Sequence, residues 1–206
     1  MSKEFDVYDE REKVEHKIIK LYEYGSTVYG TATKDSDIDY IAVVESDEDL
    51  LYGVRNEYCD YTVYSESMFI KAIKDHKASV LECIFQHDND EYRKYFELDT
   101  EKLRREFSAI ASNSYVKCKK KLKDGDIMIG LKSLFHSLRI LLFGIQIAIA
   151  GRIVDYSMAN SYFDSILEIG NDWDKLHLTF KPIHNNLKSS FKKYAPLQAE
   201  MENANG

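Results

Sequence analysis

The sequence predicts an α+β fold, a small mixed sheet with a few helices followed by an all-helical second half. Two observations predict it. Short β-branched or alternating runs, bounded by charge or glycine, are confined to roughly the first hundred residues. From about Asp99 onward the pattern is helical throughout. We therefore expect two domains, residues 1–98 and residues 99–206.

The elements follow in order. Val14, Ile18 and Ile19 recur at helical spacing among charges, which predicts a first helix over Glu10–Lys20. Lys20–Tyr24 reads as a short strand that stops at Gly25-Ser26. Ser26–Tyr29 starts a short helix, with Gly30 as its stop. Ile38–Val44, IDYIAVV, is the clearest strand, and Tyr58–Tyr64 alternates as another. Glu66–His76 follows as a helix with Ser65 or Ser67 as its N-cap. Val80–Phe85 fits either a strand or a helix start. In the second half, helices are expected over Thr100–Tyr115, Asp126–Ala150 with a break near Gly144, Met158–Ile169 and Ile183–Lys193. Pro182 and Pro196 punctuate them, and the EMENANG tail frays.

The 206 residues are 44% hydrophobic with only two prolines, which excludes a disordered chain. The polar start MSKEFDVYDEREK lacks the pattern of an export signal. The apolar run Ile140–Ala150, bracketed by Arg139 and Arg152, falls short of the ~20 residues that span a bilayer, so a buried helix is expected and no membrane partner. Cys59, Cys83 and Cys118 form no CxxC pair, which suits reduced thiols in a cytoplasmic protein. Residues 1–100 carry 12 Lys/Arg against 24 Asp/Glu, a net of −12. Residues 101–206 carry 16 against 11, a net of +5. An acidic half that could gather cations thus adjoins a basic half that could meet phosphates.

Chemistry concentrates in Tyr24–Val44, YGSTVYGTATKDSDIDYIAVV. Gly25-Ser26 ends a strand and opens a helix, where free backbone N–H groups suit an anion. Gly30 follows one turn later, where the backbone needs a turn or a close approach. Asp37 and Asp39 stand at i and i+2, on one face of a strand. Paired carboxylates beside an anion-binding turn are what a metal–triphosphate complex requires. Mg²⁺ takes one or two carboxylates with waters and substrate phosphates, and paired ions ~3.5–4 Å apart serve in-line displacement. Asp60, on the next strand, is the natural third carboxylate. Mg²⁺ and Mn²⁺ suit an all-oxygen site equally.

The string GSTVYGTATKDSDID resembles the signature of the DNA polymerase β-like nucleotidyltransferase superfamily. The match falls on Gly25, Ser26, Gly30, Ser36, Asp37, Asp39 and Asp60. It is most similar to predicted bacterial and phage nucleotidyltransferases, including an RNA-repair-associated group, in which a palm-like catalytic domain precedes a helical one. The similarity covers roughly residues 15–155. It implies transfer of NMP from an NTP with Mg²⁺ and release of pyrophosphate. Gly25 and Ser26 would take the β- and γ-phosphates, Asp37 and Asp39 both metals, and Asp60 the catalytic one. The acceptor it leaves open: an RNA end, a small molecule or a protein. Two other readings stand beside this one, an adenylylating enzyme of toxin–antitoxin type and a catalytically silent nucleotide-binding module.

Outside the motif, Lys132, His136 and Arg139 fall on one face of an apolar helix, a cationic stripe suited to a triphosphate or base. The bland alternative is a solvated lysine, a core histidine and a structural ion pair. The run Lys117–Lys123, KCKKKLK, could track a nucleic-acid backbone with Tyr115 stacking on an RNA end, although a charged helix face is the commoner origin of such runs.

Overall fold

The computed structural model describes residues 16–33, 36–55, 59–197 and 200. Among the described residues are four strands: β1 (Ile18–Tyr24), β2 (Ile38–Val44), β3 (Leu51–Arg55) and β4 (Cys59–Ser65). Seven α-helices accompany them there: α1 (Ser26–Tyr29), α2 (Glu66–Lys74), α3 (Ala78–Ile84), α4 (Thr100–Lys123), α5 (Ile127–Ala150), α6 (Asn160–Ile169) and α7 (Trp173–Tyr194). The mixed sheet has the order β1-β2-β4-β3. β2 runs parallel to β4, while both outer pairs are antiparallel.

The alternation of each strand divides the sheet into two faces. Tyr22, Ile41, Val43 and Tyr64 point toward the helices and join a core that includes Phe69, Phe107, Phe143 and Phe191. Ala42, Val44, Cys59, Tyr61 and Val63 form a smaller cluster on the opposite face. The larger core crosses the expected boundary at residues 98 and 99, because α4, α5 and α7 pack onto the same apolar surface as the sheet. A second cluster, with Leu134, Phe163, Leu176 and Phe180, holds α4 to α7 together.

Several expectations change. Residues 10–15 of the expected first helix lie outside the described residues, and its last three, Ile18–Lys20, are the start of β1. The expected fraying of the tail likewise falls largely outside them. β3 was not anticipated: LYGVR is only five residues long and contains a glycine, so its period-2 signal is faint. The apolar run after Val80 is helical, and α3 buries six of its seven residues. Burial on all sides erases the amphipathic pattern by which helices are recognised. α4 continues to Lys123, so the lysine run is part of a helix.

α7 begins at Trp173, ten residues before its expected start, and passes through Pro182. Proline removes one hydrogen bond, to the carbonyl of Leu178, a residue that is 79% exposed. α5 runs unbroken past Gly144, because Phe191 of α7 lies against that glycine. A Cβ there would stand 2.7 Å from Phe191 Cζ. Gly144→Ala is therefore expected to cost about 1–3 kcal/mol by overpacking, read as a lowered midpoint in urea at unchanged slope. α5 is long and apolar enough to cross a bilayer by composition, yet 67% of its most apolar window is buried inside the protein.

Candidate active site

The register of the sheet sets the site. Tyr24 of β1 pairs with Asp39 of β2, Asp39 with Asp60 of β4, and Asp60 with Arg55 of β3. Tyr24, Asp39, Asp60 and Arg55 thus form one row across all four strands. By the alternation of each strand, the row lies on the helix-covered face that carries Ile41, Val43 and Tyr64. Asp37, two residues before Asp39 and just ahead of β2, belongs to the same side.

Gly25 links this row to α1. It has φ +85°, a conformation that favours glycine, and its carbonyl accepts the Tyr29 N–H at 3.2 Å. A Cβ at Gly25 would fall 2.4 Å from Asp39 Oδ2. Only a glycine allows the Asp39 carboxylate to lie directly against the turn. Gly30 closes α1 in the left-handed conformation. The Ser36 hydroxyl accepts the Thr33 N–H at 2.9 Å.

A cavity of about 650 Å³ opens at the Tyr24–Asp39 end of the row, within the size range of small-molecule sites. Gly25, Ser26 and Asp39 line one side. Lys132, His136 and Arg139 of α5 line another, together with Lys117 of α4. The whole cationic stripe read on α5 therefore faces the Gly-Ser turn. Arg139 is 7% exposed and lies over the Tyr29 ring, Cζ to centroid 3.5 Å, while its Nη2 donates to His136 Nδ1 at 2.7 Å. Burial, followed by the nearby Arg139 and Lys117 charges, pushes His136 down to about 3. It stays neutral, and with Nδ1 accepting, Nε2 carries the hydrogen. Arg139 Nε is buried without a hydrogen-bond partner among the described residues.

Beneath the stripe lies Glu82 of α3, 3% exposed. Its carboxylate accepts a hydrogen bond from Tyr29 Oη, and its backbone carbonyl accepts one from Tyr156 Oη at 2.6 Å. Burial holds the Glu82 carboxyl above the usual carboxylate range, with Arg139 and the Tyr29 hydroxyl opposing the shift. Glu82 ties the Gly-Ser helix to the second half of the chain, since Tyr29 carries Arg139 on its ring. The Tyr29 carbonyl also accepts the Asn160 side-chain N–H of α6 at 2.8 Å.

The three acidic positions are close enough to feel one another. Partial burial raises the Asp39 pKa, and the Asp60 and Asp37 charges raise it further. Arg55 and Lys132 pull it back. Arg55 meets Asp60 through two parallel bonds, Nε to Oδ1 and Nη2 to Oδ2, each 2.6 Å, and its Nη2 stands 3.6 Å from Asp37 Oδ2. In this arrangement no three His, Cys, Asp or Glu side chains among the described residues are set to hold a metal ion. The donor chemistry nevertheless suits a hard cation: three carboxylates crowd one end of the sheet, their repulsion raises the Asp39 pKa, and a guanidinium answers part of their charge.

Of the positions read from the sequence, Gly25, Ser26, Asp39, Lys132 and Arg139 come together around the cavity, with Asp37 and Asp60 beside Asp39. Gly30 ends α1 and Ser36 meets Thr33, and neither is among the described residues that line the cavity. The lysine run splits by direction: Lys117 lines the cavity, Lys119 lies over Trp173, and Lys121 pairs with Asp126 at 2.7 Å. Tyr115, for which stacking on an RNA end was one reading and core packing the commoner one, is 6% exposed and packs against His184 and Trp173. Tyr29, Glu82 and Arg55 were missed. Glu82 had a signal, a lone acid inside the apolar run ASVLECI. Arg55 had none without β3.

Comparison with known proteins agrees with this architecture. A sequence model of the nucleotidyltransferase domain matches residues 9–110, which include the whole sheet, the Gly-Ser turn and all three aspartates. Among solved structures, a nucleotidyltransferase-like protein from Exiguobacterium sibiricum 255-15 is similar at 9% identity and a TM-score of 0.31 over 92% of this chain and 72% of that one, a likeness too distant to inform the site. No curated protein matches the chain. Through residues 9–110, this chain belongs to the nucleotidyltransferase domain family of the polymerase β-like superfamily.

Proposed function

We propose that the protein transfers NMP from a nucleoside triphosphate to a hydroxyl acceptor, releasing pyrophosphate, with Mg²⁺ or Mn²⁺ held by Asp37, Asp39 and Asp60. The observation that carries this reading is the facing of Asp39 and the Gly25-Ser26 turn by Lys132 and Arg139 across one cavity. Acid on one side and base on the other match a metal–triphosphate complex, whose two ends carry opposite demands. Residues 1–98 form the catalytic domain in this reading, and residues 99–206 close the cleft.

Each side chain then has a task. The Ser26 hydroxyl and the backbone at Gly25 receive the β- and γ-phosphates. Lys132 neutralises charge that builds on the departing pyrophosphate as the acceptor oxygen bonds to the α-phosphorus and the α–β bridge breaks. Arg139, held by the Tyr29 ring and His136, presents its buried Nε to the nucleotide. A bound divalent ion supplies acidity to the acceptor hydroxyl and charge relief to the phosphates. Three free, buried cysteines suit work in a reducing cytoplasm.

The test is label transfer from α-³²P-NTPs to an RNA pool and to lysate protein. Label on RNA ends is the expected result, and label on protein would support the adenylylating reading instead. Label on neither, and on no small molecule of the lysate, with NTP still bound, would overturn transfer in favour of a silent binding module. The pH dependence has a defined sign. Metal binding needs the Asp39 carboxylate, whose pKa is raised. Transfer is expected to rise with pH along a limb displaced above the ordinary carboxylate range, and Asp39→Glu is expected to move that limb.

A further inference from the structure

The pairing of Arg55 with the carboxylates is built into the sheet. Arg55 is the direct cross-strand neighbour of Asp60 on β3, at the end of the same row that holds Asp39. The contact is a two-pronged fork at 2.6 Å on each arm, and the same guanidinium reaches Asp37 at 3.6 Å. Two of the three carboxylates proposed as metal ligands are thus engaged by one cation of the chain itself. The third, Asp39, is left with a raised pKa and only the more distant help of Arg55 and Lys132.

Both Asp60 oxygens accept from Arg55, so an ion that approaches along those lone pairs must displace the fork. The exchange is cheap on the arginine side. Its side chain is 71% exposed, and a solvated guanidinium released into water loses little. Position on an edge strand lets it swing away without disturbing the core, since among the described residues β3 has only β4 beside it.

We propose that Arg55 is a positioning residue that acts as a stand-in cation. It holds Asp37 and Asp60 in place while the site is free of metal, and it leaves them when a divalent ion binds. The inference rests on the metal-site reading above and adds its regulation: metal and the Arg55 fork are alternative partners of the same oxygens. Empty carboxylates are thereby kept from repelling one another apart, and the ion must outcompete an internal charge to enter.

The test is Mn²⁺ titration of the intact protein without nucleotide, followed by electron paramagnetic resonance at low salt. Arg55→Gln is expected to bind Mn²⁺ about fivefold more tightly than the wild type. Arg55→Lys separates exchange from mere charge, because lysine keeps the positive charge but cannot form the fork. It is expected to bind more tightly than the wild type, though less than Arg55→Gln. Equal affinity of Arg55→Lys and wild type would reduce the effect to a field and overturn the exchange. Equal or weaker binding by Arg55→Gln, with binding still lost in Asp39→Asn, would overturn the role of Arg55 while leaving the metal site intact. No Mn²⁺ bound by either the wild type or Arg55→Gln would overturn the metal site itself.

Discussion

The double variant Asp37→Asn, Asp39→Asn is expected to lose NMP transfer by about 10³-fold or more, some 4 kcal/mol of transition-state stabilisation, while its fold survives. Amides are isosteric with carboxylates, but they neither bind hard cations strongly nor carry the charge that Lys132 and Arg55 face. The stability of the variant carries a second, opposite signature. A carboxyl whose folded pKa is raised adds stability that is present at low pH and is lost as pH rises through that raised value. Asp39 is such a group because of its burial beside Asp60 and Asp37. Removing its charge is therefore expected to stabilise the metal-free protein at neutral pH, as functional sites often allow. Thermal melts of wild type and variant from pH 4 to pH 8 check this: the two curves should diverge as pH rises. Loss of transfer with loss of fold would instead mark the aspartates as structural.

Gly25→Ala is expected to damage both chemistry and fold. Its φ of +85° costs an L-residue about 1–3 kcal/mol of backbone strain, and the new Cβ would overlap Asp39 Oδ2. The carboxylate must move or the turn must open. A displacement of the order of 1 Å at a reacting centre lowers turnover by about 10²-fold. Gly125→Ala supplies the control. Gly125 has the same φ, +85°, but nothing lies within 4 Å of its added Cβ. It is expected to lose stability by the same backbone strain, about 1–3 kcal/mol, and to keep full transfer. Equal activity in the two variants would show that the close approach of Gly25 to Asp39 is incidental.

These effects show what sequence reading can and cannot reach. The Gly-Ser turn, the paired aspartates and β2 were legible because each is local: a strand of β-branched residues and carboxylates at i and i+2 need no tertiary context. The α5 stripe was legible for the same reason, since 132, 136 and 139 share a helix face whatever packs on it. Arg55 and Glu82 depend on pairing between segments. Arg55 matters because β3 lies beside β4 in one register, which a five-residue strand does not announce. Glu82 matters because α3 is buried on every side, so nothing in its periodicity marks one face. Pro182 misled the reading of α7, since proline is a breaker by local rule, yet here it stands within a helix beside the exposed residue Leu178. Tyr115 takes the commoner of its two readings: an aromatic beside lysines resembles a stacking platform, but its ring packs into the core.

The most direct measurement is a crystal structure with Mn²⁺ and a non-hydrolysable NTP, read by anomalous scattering. The account predicts manganese bound to Asp37, Asp39 and Asp60, Arg55 withdrawn from Asp60, and the triphosphate between the Gly25-Ser26 turn and Lys132. Manganese and nucleotide bound away from that cavity, with the Arg55–Asp60 fork intact, would contradict it.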